Sequence, residues 1–449
     1  MLSTPTQAER LGAWLSALDA ERLPTAAART AEHLLIDVAG LCLAARNEDY
    51  VRAVLASLDP DGPCTAIGHP ARRNGYDAAL VNGTAAHGED YDDTFEGGPV
   101  HAGAVIVPSV LAACEREGRG GQDFLRGVVV GTELMCRLSL VAPIAIHRAG
   151  FHPTAVLGAL AAAGAVSAAL GLAAREAVSA LGIAGSQAAG IIEYLAEGTW
   201  TKRMHAGWAA LSGLRAALLA RGGFLGPRTV LEGTHGFFSA FAPSVQPDFS
   251  HLTDGLGERW LMETIAFKPY PCGTMTQPYI DCAIELGESG VAAESIAEIV
   301  CEVGEGTVHR LWEPLADKQR PPNAYAGKFS TPYCMAVAFF DRRVGFAQFA
   351  ADRLTDPAVL GLAGKIRYAI DPDNEYPRNF TGHLRATLTD GSVREIRRPY
   401  MRGGAHAPLS SAEIRAKFLD NAVYGGLSRE RAEAALAARG LSFIAALAE

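Results

Sequence analysis

Apolar residues in the first half of the chain recur with the spacing of buried helices. Alanine- and leucine-rich segments separated by glycines predict helices at about 26–45, 77–86, 105–115, 121–140, 154–172 and 209–220. Strand patterns are nearly absent from this half. The many alanines predict closely packed helices, because the side chains at a helix contact set the interaxial distance. The first half is therefore predicted to be an all-α domain.

Apolar and polar residues begin to alternate at about residue 263. The alternating runs predict strands at 296–303, 366–370, 384–388 and 393–396. Asp390-Gly391 stands between the last two runs and predicts a hairpin turn. Helical segments at 277–286 and 332–340 lie among these runs, so this part of the chain is predicted to be α+β.

The sequence of the tail again predicts helices. It opens at Ser410 with a Ser-x-x-Glu pattern that is typical of a helix start. The sequence thus predicts a mainly α protein. Its parts are an all-α helical domain at 1–264, a smaller α+β domain at 265–398, and C-terminal helices at 399–449 that return to the helical domain.

Charge and composition restrict the class of partner. Forty basic and 49 acidic side chains give a net charge of -9, which argues against nucleic acid or an anionic membrane because those partners need a basic patch. The apolar stretch at 154–172 approaches the length of a membrane span, but its alanines and glycines favour a buried core helix. Eight cysteines without a CxxC pair predict free, mostly buried thiols in a reducing, cytoplasmic compartment.

The densest polar segment is HGEDYDDT at 87–94, followed by His101. Four carboxylates within five positions repel one another unless a partner shares their charge or proton. A solvated loop is one interpretation, whereas the apolar segments on both sides favour a loop held near the core. A divalent metal site is a further alternative. No HxxxH pattern accompanies these carboxylates, and no metal is predicted.

His152 stands in GFHPT at 150–154, just before the alanine-rich helix. Proline favours the first helical position, which places His152 at or near the N-cap. Backbone N–H groups and the helix dipole disfavour the charged imidazole there and lower its pKa. A neutral ring beside an anion could act as a general base. A purely structural capping histidine is the alternative.

Lys202 and Arg203 precede the helix predicted at 209–220. Two cations at a helix start oppose the helix dipole, so a bound carboxylate or phosphate is expected beside them. Surface cations that extend into solvent are the alternative.

Two further segments stand in the predicted α+β domain. Lys268 begins KPYP, whose prolines stiffen the predicted domain boundary. Tyr333 follows KFS at 328–330 and could donate a proton or simply pack in the core. An ordinary rigid linker is the alternative for the first segment.

Taken in order, these segments resemble the MmgE/PrpD family, which includes 2-methylcitrate dehydratase, cis-aconitate decarboxylase and iminodisuccinate epimerase. The resemblance spans essentially the whole chain and is most specific at DYDDT and GFHPT. It is carried by NGTAAH (82–87), DYDDT (90–94), HAGA (101–104), GFHPT (150–154), the Lys202 segment, KPYP (268–271) and KFS (328–330) with Tyr333. It implies an α+β lid over a helical domain, a site between them, a homodimer, and no metal or organic cofactor.

The resemblance and the charges of these segments together give the expected residues of the site. Those expected to be catalytic are His101, His152, Asp90, Lys202 and Tyr333. Those expected to bind substrate are Thr94, Lys268, Arg203 and Gln277. Gln277 is a departure, because a histidine commonly stands there in the family and glutamine cannot exchange a proton near neutral pH.

These features predict a cofactor-independent lyase that acts on a small anionic carboxylate. The first hypothesis is a dehydratase of a di- or tricarboxylic hydroxy acid, similar to 2-methylcitrate dehydratase, that removes a proton α to a carboxylate. The second is an epimerase or a decarboxylase of a similar substrate. A non-catalytic carboxylate-binding or scaffold relative is the hypothesis from another class.

Overall fold

The computed structural model describes residues 4–448, which form two compact units. The first unit contains residues 4–88, 92–265 and 410–448, and the second contains Glu89–Tyr91 and Ala266–Leu409. Residues 1–3 and 449, at the ends of the predicted domains, lie outside the described residues. The sequence pattern gives no sign that Glu89–Tyr91 belongs to the second unit.

The first unit is built from helices, and the prediction of a mainly α fold is confirmed, with 57% of the chain helical. Up to residue 265 the helices are α1 (Gln7–Ala17), α2 (Thr25–Ala45), α3 (Asp49–Ala56), α4 (Gly75–His87), α5 (Gly103–Glu117), α6 (Gly121–Val141), α7 (Ala145–Arg148), α8 (Pro153–Leu170), α9 (Ala174–Gln187), α10 (Tyr194–Glu197), α11 (Thr201–Arg221), α12 (Phe237–Phe241) and α13 (Ser250–Thr253). Two strands of two residues each are β1 (Thr94–Phe95) and β2 (Ile265–Ala266).

Helix α8 forms the centre of the first unit. All of its 18 residues are buried, and it packs against α5, α6, α9 and α11. Among the described residues it is the helix that is long and apolar enough to cross a membrane. Its complete burial instead makes it a core helix, as its alanine content predicts.

Helix α11 begins eight residues earlier than predicted, at Thr201. The polar TKRMH segment lacks the apolar spacing of a buried helix, yet it forms the first turns. Two glycines hold α11 close to its neighbours. A Cβ on Gly83 of α4 would lie 2.5 Å from the Cα of Gly207, and a Cβ on Gly213 would lie 2.3 Å from the Cβ of Ala162 in α8. The start of α11 is thereby fixed against α4 and α8.

The second unit combines a four-stranded sheet with helices. The helices are α14 (Gln277–Glu288), α15 (Glu305–Leu311), α16 (Leu315–Gln319), α17 (Ala324–Lys328), α18 (Thr331–Asp341), α19 (Ala351–Leu354) and α20 (Pro357–Ala363). The strands are β3 (Ile296–Val303), β4 (Ile366–Ile370), β5 (Gly382–Leu388) and β6 (Val393–Arg398). Helix α14 packs against α18, β5 and β6.

The sheet has the strand order β4-β3-β5-β6. Strand β3 is parallel to β4 and antiparallel to β5, and β5 and β6 form an antiparallel hairpin. All four strands predicted from alternation are confirmed. The hairpin turns at Asp390-Gly391, where Gly391 has a φ of 85° that suits glycine.

The tail forms α21 (Ser411–Tyr424), α22 (Arg429–Ala435) and α23 (Leu441–Ala448) in the first unit. Ser410 and Glu413 make the predicted capping box. Helix α21 packs on α2, where the ammonium of Lys417 lies 2.7 Å from the carboxylate of buried Asp37. The prediction of free, buried thiols is confirmed for all eight cysteines.

Candidate active site

Asp92 lies between two imidazoles of the first unit. Its Oδ2 is 2.7 Å from Nδ1 of His87, and its Oδ1 is 3.5 Å from Nδ1 of His101. Nδ1 of His101 also lies 2.8 Å from the carbonyl oxygen of Asp93. These oxygens only accept, so both Nδ1 atoms carry hydrogen and each neutral ring has its lone pair on Nε2. Each ring can therefore take up a proton through Nε2.

The carboxylate of Asp93 instead binds backbone N–H groups. It accepts hydrogen bonds from the N–H groups of Ala102 (3.1 Å) and Gly103 (2.9 Å) at the start of α5. Burial raises the pKa of Asp93 well above its usual range, and the charges of Asp92 and Asp37 raise it further. The two adjacent carboxyl groups thus have different partners, and the repulsion expected from the sequence acts on Asp93 by favouring its protonated form.

The other two acids of the run belong to the second unit. Asp90 is 5% exposed, and Nζ of Lys268 lies 2.9 Å from its carbonyl oxygen and 3.3 Å from Oδ2. Glu89 forms an ion pair with Lys328. The backbone of Asp90 is left-handed, with a φ of 57°, which is uncommon outside glycine. The segment is therefore not the solvated loop that was one interpretation of the sequence.

His152 stands at the N-cap of α8, as predicted, with Pro153 at the first helical position. Its ring stacks on that of His87, with centroids 5.5 Å apart and an interplanar angle of 24°, and lies 6.5 Å from that of His101. The N–H of His101 donates to Oγ1 of Thr154, the second residue of α8, at 3.2 Å. Three imidazoles that are distant in sequence thus form one buried cluster.

A fourth imidazole completes the cluster. His205, on the first turns of α11, places Nδ1 3.1 Å from Nδ1 of His152. It follows Lys202 by three residues, so the two side chains share one face of the helix. The ring of Tyr194 lies edge-on to both imidazoles, with centroids 6.2 Å from His152 and 5.8 Å from His205.

His152 and His205 are held in the neutral form. Burial lowers the pKa of His152 well below its usual value, and the positive charges of His87, Lys202, His205 and His101 lower it further. Burial, followed by the charges of His87 and Lys202, lowers the pKa of His205 to about 4. The predicted direction for His152 is confirmed, but the largest cause is burial rather than the helix dipole.

These lowered pKa values predict a loss of stability in mild acid. The unfolded chain protonates histidine near pH 6.5, whereas folded His205 resists protonation down to about 4. The unfolded state therefore binds more protons in this window, and the free energy of unfolding falls as the pH falls. His33, His69 and His152 shift in the same direction, also chiefly through burial.

Urea unfolding between neutral pH and about pH 5 measures this slope. The variant His205→Asn removes one of the lowered groups and should show a shallower dependence on pH. Equal slopes for the two proteins would contradict the assignment of His205 as a buried neutral ring.

His87, Asp92 and His101 also place their ligand atoms within 4.8 Å of one another, as a metal site would require. Both Nδ1 atoms face oxygen acceptors and carry hydrogen, so only the Nε2 lone pairs of the two rings could bind an ion. The same lone pairs are the atoms that would take up a proton in an acid–base cluster.

The remaining predicted residues have other surroundings. The guanidinium of Arg203 lies 4.4 Å from the ring centre of Tyr50. Thr94 is buried in β1. In the second unit, the hydroxyl of fully buried Tyr333 donates to the carbonyl of Gln348 at 2.6 Å, a bond that fits the packing alternative. The catalytic role of Tyr333 stays a prediction.

Comparison with known families covers nearly the whole chain. Residues 9–250 match the MmgE/PrpD N-terminal domain, and residues 270–440 match the MmgE/PrpD C-terminal domain. The chain belongs to the MmgE/PrpD family. The resemblance noted in the sequence is thereby confirmed.

Curated relatives of this MmgE/PrpD protein include cis-aconitate decarboxylases. The chain is 28% identical to the cis-aconitate decarboxylase-like protein oryM of Aspergillus oryzae, over 90% of this chain and 88% of that protein. It is 28% identical to cis-aconitate decarboxylase of Aspergillus terreus, over 90% and 87% respectively. It is 30% identical to human cis-aconitate decarboxylase, over 77% and 72%. The two relatives named as cis-aconitate decarboxylases are lyases.

Gln277 departs from the pattern expected of an MmgE/PrpD protein. It is fully buried at the start of α14, and its Nε2 donates to the carbonyl of Tyr270 at 3.4 Å. Its Oε1 has no hydrogen-bond partner among residues 4–448. The side chain thus keeps an unused acceptor but has no group that titrates.

Sequence reasoning did not select His87, Asp92 and His205 as site residues. His87 and Asp92 lie inside the acidic segment, but the sequence does not show which acid faces an imidazole. His205 had one usable signal, its i, i+3 spacing from Lys202, which becomes informative only when the helix is known to begin at Thr201.

Proposed function

We propose that this MmgE/PrpD protein is a cofactor-independent decarboxylase of a small tricarboxylate of the cis-aconitate type. The observation that carries the proposal is the buried cluster of His87, His101, His152 and His205 with Asp92. Imidazoles in a site shielded from water can transfer a proton to carbon next to a carboxylate. The buried Nε2 of His87 has no hydrogen-bond partner among residues 4–448, which fits a position where a ligand or water binds.

Of the three candidate reactions, decarboxylation needs the fewest proton transfers. It requires one proton to be delivered after carbon dioxide leaves. Dehydration needs both a base and an acid, and epimerisation needs removal and return of a proton on opposite faces. Gln277 contributes no proton carrier where the family commonly has a histidine. The decarboxylases among the relatives support the same choice.

His101 is assigned as the proton donor. The Asp92 carboxylate, 3.5 Å from its Nδ1, favours the charged ring. The C–C bond to the leaving carboxylate breaks, its electron pair passes into the system conjugated with a remaining carboxylate, and Nε2–H of His101 protonates the carbon. Lys202, whose charge acts on His152 and His205, would bind a substrate carboxylate and offset the developing charge.

Incubation of the purified protein with cis-aconitate, 2-methylcitrate and iminodisuccinate in deuterated water tests the proposal. Release of carbon dioxide from the tricarboxylate, with one deuterium incorporated per product molecule, is expected by gas analysis and proton NMR. Loss of water from a hydroxy acid without carbon dioxide would replace the proposal with a dehydratase. Deuterium exchange without net change would indicate an epimerase.

The dehydratase remains the second candidate because of one observation. His152 is neutral and buried, which is the state that a general base requires. If none of these substrates reacts, and none raises the melting temperature at high concentration, the non-catalytic alternative is favoured.

A further inference from the structure

A cavity of about 220 Å³ lies in the first unit between α2 and the C-terminal helices α21 and α23. It is lined by three guanidinium groups, those of Arg29 on α2, Arg415 on α21 and Arg439 just before α23. The one carboxylate of the lining is that of Glu32. Three positive charges against one negative charge leave an excess of two positive charges. We propose that this cavity binds a small organic dianion, either a phosphate ester or a dicarboxylate.

Two of these arginines have all of their donors available to a ligand. The guanidinium groups of Arg29 and Arg439 have no hydrogen-bond or ion-pair partner among residues 4–448. Arg415 is held by one bond, in which its Nη2 donates to the carbonyl of Leu436 at 2.8 Å. Guanidinium groups bind the oxygens of phosphates and carboxylates through paired hydrogen bonds. Because like charges around one cavity repel one another, a bound anion would also relieve that repulsion.

The floor of the cavity is apolar and restricts the ligand to a small organic anion. Phe443 and Leu35 line the cavity and are 1% and 2% exposed. The ring of Phe443 packs edge-on against that of Phe418, with centroids 5.2 Å apart. A short carbon skeleton can contact this floor while its charged groups face the guanidinium groups. Pockets for drug-sized ligands have volumes of about 300–1,000 Å³, so a nucleotide is too large for this cavity.

His33 and Ser411 add polar groups to the cavity without changing its charge. Nε2 of His33 lies 2.8 Å from Oγ of Ser411, so the pair joins α2 to the start of α21. Burial, followed by the charge of Arg29, lowers the pKa of His33 below its usual value. The imidazole is therefore neutral at neutral pH, and the excess of two positive charges comes from the arginines alone.

A ligand in this cavity would connect α2 to the C-terminal helices. It would contact α2 through Arg29, α21 through Arg415 and the segment before α23 through Arg439. Binding should therefore stabilise the packing of the tail on the helical core. The cavity is separate from the proposed active site, because none of the four imidazoles of the buried cluster lines it. The inference is thus independent of the reaction that the protein catalyses.

The variants Arg29→Gln and Arg439→Gln each remove one positive charge from the cavity. Arg431→Gln is the matched control, because it removes an exposed charge from α22 in the same tail and does not line the cavity. Neither cavity variant breaks a hydrogen bond or ion pair of the described chain, so both should fold. Without ligand, their melting temperatures should equal or exceed that of the unmodified protein, because one repelling charge is gone.

Isothermal titration calorimetry of the full-length protein with glycerol 3-phosphate and with malonate measures the affinity, at an ionic strength held constant with chloride. We expect binding of at least one probe, and the lower Kd decides between a phosphate ester and a dicarboxylate. The Kd should rise by about 10–100-fold in Arg29→Gln and Arg439→Gln, because each loses a charge-assisted contact. It should stay the same in Arg431→Gln.

Hydrogen exchange with and without the probe that binds locates the site. We expect slower exchange in α23 and in the facing part of α2, since the ligand would hold these segments together. Slower exchange confined to α8 and α11, around the buried imidazoles, would place the anion in the active site and overturn the inference. Equal Kd values in Arg439→Gln and Arg431→Gln, or no binding of either probe, would overturn it as well.

Discussion

Replacement of His101 by glutamine is expected to lower kcat for the tricarboxylate by about 10²–10⁴-fold, because the assigned proton donor is lost. KM should change much less, since glutamine can still hydrogen-bond. The side chain is 12% exposed and its Nδ1 contacts are to Asp93 and Asp92, so the variant should keep its fold. Turnover under saturating substrate, with circular dichroism on the same samples, measures both effects.

Two further variants make this result specific. Asp92→Asn keeps the shape of the side chain but removes the negative charge that lies 3.5 Å from Nδ1 of His101, so it should lower kcat. His235→Ala alters an exposed histidine of the first unit and should leave kcat unchanged. Near-normal turnover in His101→Gln would show that another group delivers the proton.

Replacement of Lys417 by methionine is expected to cost about 3–5 kcal/mol of unfolding free energy, because it leaves the carboxylate of Asp37 buried without its cation. The two charged groups lie 2.7 Å apart, and their side chains are 4% and 1% exposed. Asp37 also raises the pKa of Asp93 through its charge. Urea unfolding at neutral pH measures the loss.

The double variant Asp37→Leu with Lys417→Met should recover most of this stability, since it removes both buried charges. Arg429→Ala is the control from the same tail. It removes an exposed partner of Asp420 at 3.6 Å and should cost less than about 1 kcal/mol. A similarly small loss in Lys417→Met would mean that the buried pair contributes no more than a surface pair.

The sequence predicted those elements whose apolar residues form a continuous or an alternating pattern. The continuous apolar composition of α8, which is buried on all sides, and the alternation of apolar and polar residues in β3 were sufficient to predict these two elements. The start of α11 could not be predicted in the same way. Its first turns are polar, and their position depends on Gly83 and Gly207, which meet only in the folded chain.

The structural position of His152 could be predicted from its motif, because Pro153 fixes His152 at the N-cap of α8. The acidic run could not be resolved, because Asp90 and Asp92 stand two positions apart and have the same chemistry. The left-handed backbone of Asp90 directs it to Lys268, while Asp92 meets the imidazoles. Such a backbone conformation is not evident from residue types alone.

The membership of Glu89–Tyr91 in the second unit has a practical consequence for dissecting this protein. A recombinant fragment of residues 266–409 would retain Lys268 and Lys328, whose side chains are 1% and 3% exposed, but would lack the acids that neutralise them. A chimaera that takes residues 266–409 from this chain would keep the two pairs only if the other parent supplies acids at the positions of Glu89 and Asp90. An exchange of the second unit must therefore include Glu89–Tyr91 together with Ala266–Leu409.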